Sequence, residues 1–255
     1  MLELRELRTG YGGKTALELE RLAFPLGMVT GVLGRNGSGK STLLRTLAGI
    51  QPWEGEITVD GISLRALSRR QRARRIAYLP QALPTPELRV ETLVAHGRYA
   101  RLGLSKTLGE TDRARIRDAL ELTELWPLRE RPLRTLSGGE RQRAYLAMVL
   151  AQDGDYLLLD EPGAALDISH REALGALLRR VAASGKGVVV SSHDLPLSFA
   201  VSDRLLLLRR GRLVAEGTPE ALVRERTALR RSMDAILVPA GNPRSRYPYI
   251  LGAEE

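Results

Sequence analysis

The chain of 255 residues contains no cysteine, which excludes disulfides and thiolate metal sites and fits a reducing compartment. Aromatics are scarce, with two Trp and two Phe, so little surface is offered for stacking on nucleic-acid bases. Long apolar runs are missing too. Those at residues 157–159 and 188–190 are strand-length, far short of the ~20 residues that cross a bilayer. A partner must do any spanning. The opening Met1-Leu2-Glu3-Leu4-Arg5 alternates like an edge strand and lacks the apolar block and cleavage site of a secretory signal, so a cytosolic chain is expected.

The formal net charge is +9. Charge of this sign suits nucleic acid, an anionic membrane surface or a phosphorylated ligand. The arginines, however, are dispersed, with only short clusters such as residues 69–75, and no nucleic-acid partner is expected. The length suits one large α/β domain with room for a small insertion.

Residues 2–8, 16–22, 28–33 and 55–60 read as short strands, with a glycine turn at 10–13. From 87 to 134 the apolar spacing becomes helical, marking an inserted helical segment. Then come a helix (137–151), a buried strand (156–159), a helix (170–184) and a second buried strand (187–191). This alternation implies a mainly parallel sheet covered on both faces. A hairpin at 204–208 and 212–216 follows, and Thr218-Pro219 opens a short helix.

Gly34-Arg35-Asn36-Gly37-Ser38-Gly39-Lys40-Ser41-Thr42 lies between a strand and a helix, the context a P-loop requires. Its glycines let backbone N–H groups turn toward phosphates, and the helix N-terminus adds a positive dipole. Lys40 is then placed for the β- and γ-phosphates and Ser41 for Mg²⁺. Asp160 emerges from a buried strand at the ligand-binding edge of such a sheet and is the expected acidic metal partner. Pro162 should hold Glu161 extended, turning its side chain away from that of Asp160, which makes Glu161 the candidate general base. His193 and Gln81 leave two further strands toward the same edge. His193 is a candidate for the γ-phosphate and Gln81 for the metal and the attacking water. Tyr11, in its glycine turn, could stack on adenine.

Ser137 and Glu140 form a capping box, yet capping requires neither Gly138 nor Gly139, which weaken the first helical turn. With the P-loop, Gln81, Leu136-Ser137-Gly138-Gly139-Glu140, Asp160-Glu161, Asp167 and His193 in this order, the chain resembles the ABC ATPases over about residues 2–222.

That resemblance implies a P-loop NTPase core with an N-terminal antiparallel β subdomain and an inserted helical subdomain. The corresponding boundaries are a core at 1–82 and 152–222, a helical subdomain at 83–151 and a C-terminal extension at 223–255. It further implies ATP and Mg²⁺ as cofactors and a head-to-tail homodimer. In that dimer Ser137, Gly138 and Gly139 of one subunit close over the partner's ATP, and Asp167 reaches the partner's P-loop.

Segments 90–99, 142–152 and Leu166-Asp167-Ile168-Ser169-His170 resemble ATPases of iron-siderophore, haem and cobalamin importers. These sit on the cytoplasmic face of the membrane with a permease and, indirectly, a substrate-binding protein. The permease is expected near residues 81–101 and the helical subdomain, on surface residues such as Leu88, Arg98 and Tyr99. Two features depart from the pattern: Gly163-Ala164-Ala165, where Thr and then Ser or Ala are more frequent, and Ala100-Arg101, where the siderophore group often has Pro-His. A zinc or manganese importer and a soluble ATPase of iron–sulfur assembly remain alternatives.

Overall fold

The computed structural model describes residues 1–103, 107–224, 237–239 and 249–251. The chain runs β1 (Leu2–Tyr11), β2 (Lys14–Phe24), β3 (Val29–Leu33), α1 (Lys40–Leu47), β4 (Glu54–Val59), β5 (Ile62–Ser63), α2 (Arg69–Arg75) and β6 (Ile76–Leu79). Three helices follow: α3 (Val90–His96), α4 (Glu110–Leu122) and α5 (Gly138–Gln152). The chain then returns through β7 (Tyr156–Asp160), α6 (Ile168–Ala183), β8 (Gly187–Ser192) and α7 (Leu195–Val201), and reaches the hairpin β9 (Arg204–Arg209) and β10 (Arg212–Gly217), then α8 (Pro219–Arg224). Most of the segment after residue 224 lies outside the described residues; within it β11 (Leu237–Pro239) pairs with β12 (Tyr249–Leu251).

The first sheet is antiparallel, in the order β2-β1-β4-β5. β1 is therefore an interior strand, not the edge its opening residues suggested. Leu2, Leu4 and Leu7 are fully buried. Glu6 takes φ 49, and the ladder to β4 shifts between Arg5 and Arg8, which carries the buried set from even to odd positions. The second sheet has the order β10-β9-β3-β8-β7-β6, parallel except for β10.

Every residue of β3 and β7 is buried, as expected of strands covered on both faces. Strand alternation divides β7 between two cores. Tyr156 and Leu158 join α1 and the antiparallel sheet, while Leu157 and Leu159 pack with α3, α4, α5 and α6. The Leu2 N–H donates to the Tyr156 hydroxyl at 2.9 Å, tying the first sheet to the second, and burial pushes the Tyr156 pKa up to about 12.

Because β3, β8, β7 and β6 are parallel neighbours, the residues that follow them meet at one sheet edge, as expected. Helix α5 starts on the expected capping box: Glu140 N–H donates to Ser137 Oγ at 3.2 Å and Ser137 N–H to Glu140 Oε2 at 2.8 Å. Helix α6 begins two residues earlier than expected, because Asp167 is its cap.

Arg98 corrects another expectation. It is only 4% exposed, with its guanidinium on Asp112 at 2.8 Å and on the Ala151 carbonyl at 2.7 Å, so it fastens the helical segment together and offers no surface. Tyr99 beside it is 61% exposed and stacks on His96 with ring centroids 4.7 Å apart.

Candidate active site

The loop after β3 folds back on itself through Ser38 N–H, which donates to Arg35 O at 3.0 Å. Gly34 is required by space: a Cβ there would lie 2.3 Å from Ser38 Oγ and 2.4 Å from Leu208 O. Gly39, at φ 107, caps α1 in a conformation that excludes most side chains. Lys40, Ser41 and Thr42 then line the cleft from the first turn of α1, where unbonded N–H groups and the helix dipole favour an anion. The buried Lys40 ammonium donates to Gly34 O at 2.8 Å and Arg35 O at 3.4 Å, and lies 3.8 Å from Glu161 Oε1. Burial lowers its pKa, against the opposing pull of the Glu161 and Asp160 carboxylates.

The two carboxylates at the end of β7 do have different surroundings, but not by the expected route. Glu161 is not extended. Its φ is 49, and its N–H turns onto the neighbouring strand, donating to Ser191 O at 3.2 Å and Ser191 Oγ at 3.0 Å. Pro162 disfavours the right-handed helical region for the residue before it, and these bonds select the left-handed one. The Glu161 carboxylate then receives Gln81 Nε2 at 3.0 Å and lies 3.3 Å from His193 Nδ1. Asp160 is 2% exposed and accepts the Ser191 hydroxyl at 2.6 Å. Tyr78 lies nearby, its pKa raised by burial and by the Asp160 charge.

A cleft of about 890 Å³ joins residues 36–42 with Gln81, Glu161 and His193, bringing together the ends of β3, β6, β7 and β8. Thr15, Ala16 and Arg210 complete its lining, and the sequence reading singled out none of them. Ser191 carries no local signal either, because with Ser192 it reads only as the polar end of an apolar strand.

Several expected residues lie outside this lining. Tyr11 is half-exposed at the end of β1. Gly34 and Arg35 act through backbone carbonyls, and Asp160 lies behind Glu161. Asp167 caps α6, where the His170 backbone N–H, the Ser169 hydroxyl and the His170 ring draw its pKa down to about 2. Ser137, Gly138 and Gly139 stand at the start of α5 beside Ala165 and Leu166. A Cβ on Gly138 would come no closer than 3.9 Å to Ala165, and one on Gly139 no closer than 3.5 Å to the same loop. This chain's own packing therefore demands glycine at neither position.

Comparison with known proteins agrees with this arrangement. The chain is 39% identical over 222 residues to the ferric enterobactin transport ATP-binding protein of Escherichia coli (strain K12), covering 86% of this chain and 82% of that protein. It is 38% identical over 258 residues to a hemin import ATP-binding protein of Pseudomonas putida, covering 98% and 99%. Among solved structures, a dimeric ATP-binding cassette in a post-hydrolysis state, bound to ADP and Pi, superposes with a TM-score of 0.76 at 27% identity, covering 86% of this chain and 99% of that one. The family described as ABC transporter matches residues 19–164, more than half the length. A P-loop, two differently held carboxylates and a glycine-led helix α5 thus occur in a chain that belongs to the ABC transporter family as one of its ATP-binding, ATP-hydrolysing subunits.

Proposed function

We propose that this chain is the motor of an importer for an iron chelate, haem or cobalamin, working as a head-to-tail homodimer beneath a separate permease. The observation that carries the catalytic part is the placing of Glu161, whose carboxylate meets Gln81, His193 and Lys40 at the lip of the phosphate cleft. The substrate class rests on the import proteins for ferric enterobactin and hemin, which the chain matches over most of its length.

In this reading Lys40 and the N–H groups of the P-loop and the first turn of α1 hold the phosphates, and Tyr11 packs on the adenine. Mg²⁺ fits the donors available. The Ser41 hydroxyl, the buried Asp160 carboxylate and the amide oxygen of Gln81 are hard oxygens, and Mg²⁺ binds through few protein ligands plus phosphate and water. Among the described residues no cluster of three or more His, Cys, Asp or Glu offers another site. When bound, the cation neutralises charge on the transferring phosphoryl group. Glu161 orients the attacking water and accepts its proton, and His193 binds the γ-phosphate. Ser137, Gly138 and Gly139 act on the partner's nucleotide, which accounts for two glycines that packing does not require. Asp167 reaches the partner's P-loop from the loop next to them.

Residues 1–82 and 152–222 form the nucleotide-binding core in this account, 83–151 the helical subdomain and 223–255 an extension. Among the described residues no helix is long and apolar enough to cross a membrane, consistent with a peripheral subunit on the cytoplasmic face. The permease docks at residues 81–101, where Tyr99 is exposed, and a substrate-binding protein acts through it.

Reconstitution tests the reading. ATPase activity should rise when the chain is combined with a siderophore, haem or cobalamin permease. Stimulation by a zinc or manganese permease alone would contradict the substrate class.

A further inference from the structure

The tip of the β9–β10 hairpin is built into the phosphate site. Gly211 N–H donates to Ser38 O at 2.9 Å, and Glu18 N–H donates to Gly211 O at 2.8 Å, so the tip is bonded to the P-loop on one side and to β2 on the other. Gly211 has φ 77, and a Cβ there would lie 2.3 Å from Ala16 O; only glycine permits this approach. Arg210 precedes it at φ 49, a conformation in which Asn or Asp is the cheaper residue.

Arg210 lines the cleft, and among the described residues its guanidinium has no hydrogen-bond or ion-pair partner. Two other arginines of the hairpin are paired. Arg204 bonds Glu216 at 2.6 Å and Arg212 bonds Glu18 at 2.9 Å. An exposed arginine left unpaired in the lining of an anion-binding cleft, on a tip bonded to the P-loop, is placed for a ligand.

Sheet order says which part of the ligand it meets. β3 separates β9 from β8, β7 and β6. Gln81, Glu161 and His193 follow β6, β7 and β8, so they enter the cleft from one flank of the P-loop. Arg210 follows β9 and enters from the other flank, beside Ala16. The geometry points to Arg210 as a second cation on the nucleotide, bonding its α-phosphate and ribose, the end away from the hydrolysed phosphate. The assignment rests on the nucleotide reading of the P-loop. A planar guanidinium matches phosphate oxygens two at a time, and Lys40 already serves the terminal phosphates. ATP and ADP share the α-phosphate and ribose, so Arg210 retains product as firmly as substrate and slows nucleotide exchange without taking part in hydrolysis.

The test is calorimetric titration of the full chain with ATP and with ADP, each with Mg²⁺ at low salt. Arg210→Asn keeps a residue that tolerates the turn. It should raise Kd for both nucleotides by about 3- to 10-fold, with partial recovery in Arg210→Lys and a smaller effect at high salt. Unchanged Kd for both nucleotides, or a loss confined to ATP, would overturn the assignment. Lys40→Ala serves as the control: if it too binds ATP like the wild type, the P-loop reading fails and Arg210 falls with it. Should Arg210→Asn lower the unfolding temperature of the nucleotide-free chain, Arg210→Lys and Arg210→Gln carry the same ATP-against-ADP comparison.

Discussion

The Gln81 side-chain amide donates to the Glu161 carboxylate at 3.0 Å, joining the ends of β6 and β7 across 80 residues of chain. Gln81 also begins the segment proposed to dock the permease, and in that reading one hydrogen bond links docking to chemistry. Gln81→Ala should leave affinity for ATP without Mg²⁺ intact and remove most of the permease-stimulated increase in ATPase rate, a coupling of about 1–3 kcal/mol. Basal and stimulated rates measured side by side check this; full stimulation in the variant would place the coupling elsewhere.

Ser191 deserves a substitution of its own, because its hydroxyl bonds Asp160 while its oxygens receive the Glu161 N–H. Ser191→Ala leaves the Asp160 carboxylate without its hydroxyl partner and should cost about 1–3 kcal/mol of stability. The Mg²⁺ concentration that gives half-maximal ATPase should shift as well. Urea unfolding and a Mg²⁺ titration read the two effects separately.

Much of the site could be read locally. The P-loop glycines, the capping box at Ser137 and the two apolar strands ending in Asp160 and Ser192 are set by neighbouring residues. What escaped was set by distant ones. β1 is interior because β4 pairs with it, and nothing in the alternation of Leu2 and Leu4 announces that partner. Glu161 is left-handed because β8 supplies two acceptors at Ser191. Arg98 is buried because Asp112 and the Ala151 carbonyl wait for it, while its sequence neighbour Tyr99 is exposed.

That last pair gives a direct contrast. Arg98→Ala removes the buried partner of a half-buried ion pair and leaves the Ala151 carbonyl without its donor, which should destabilise the fold by about 1–3 kcal/mol. Tyr99→Glu, at an exposed ring, should unfold at the wild-type urea concentration yet lose permease stimulation. Equal stability of both variants would contradict the burial argument, and normal stimulation of Tyr99→Glu would contradict the docking surface.

Ser137→Arg should leave ATP binding to the isolated monomer intact while abolishing hydrolysis, since the start of α5 does not line this chain's own cleft. The lost cap should cost about 0.5–2 kcal/mol. Monomer affinity lost together with activity would mean that α5 serves its own nucleotide.

The proposed base, Glu161, offers the most direct test. Glu161→Gln preserves the side-chain shape and leaves Lys40, Ser41 and Asp160 in place, but an amide cannot take the proton of the attacking water. Turnover should fall by about 10²–10⁴-fold, with ATP affinity retained and a dimer trapped by ATP and Mg²⁺ on size-exclusion chromatography. Turnover near that of the wild type in Glu161→Gln would contradict the account.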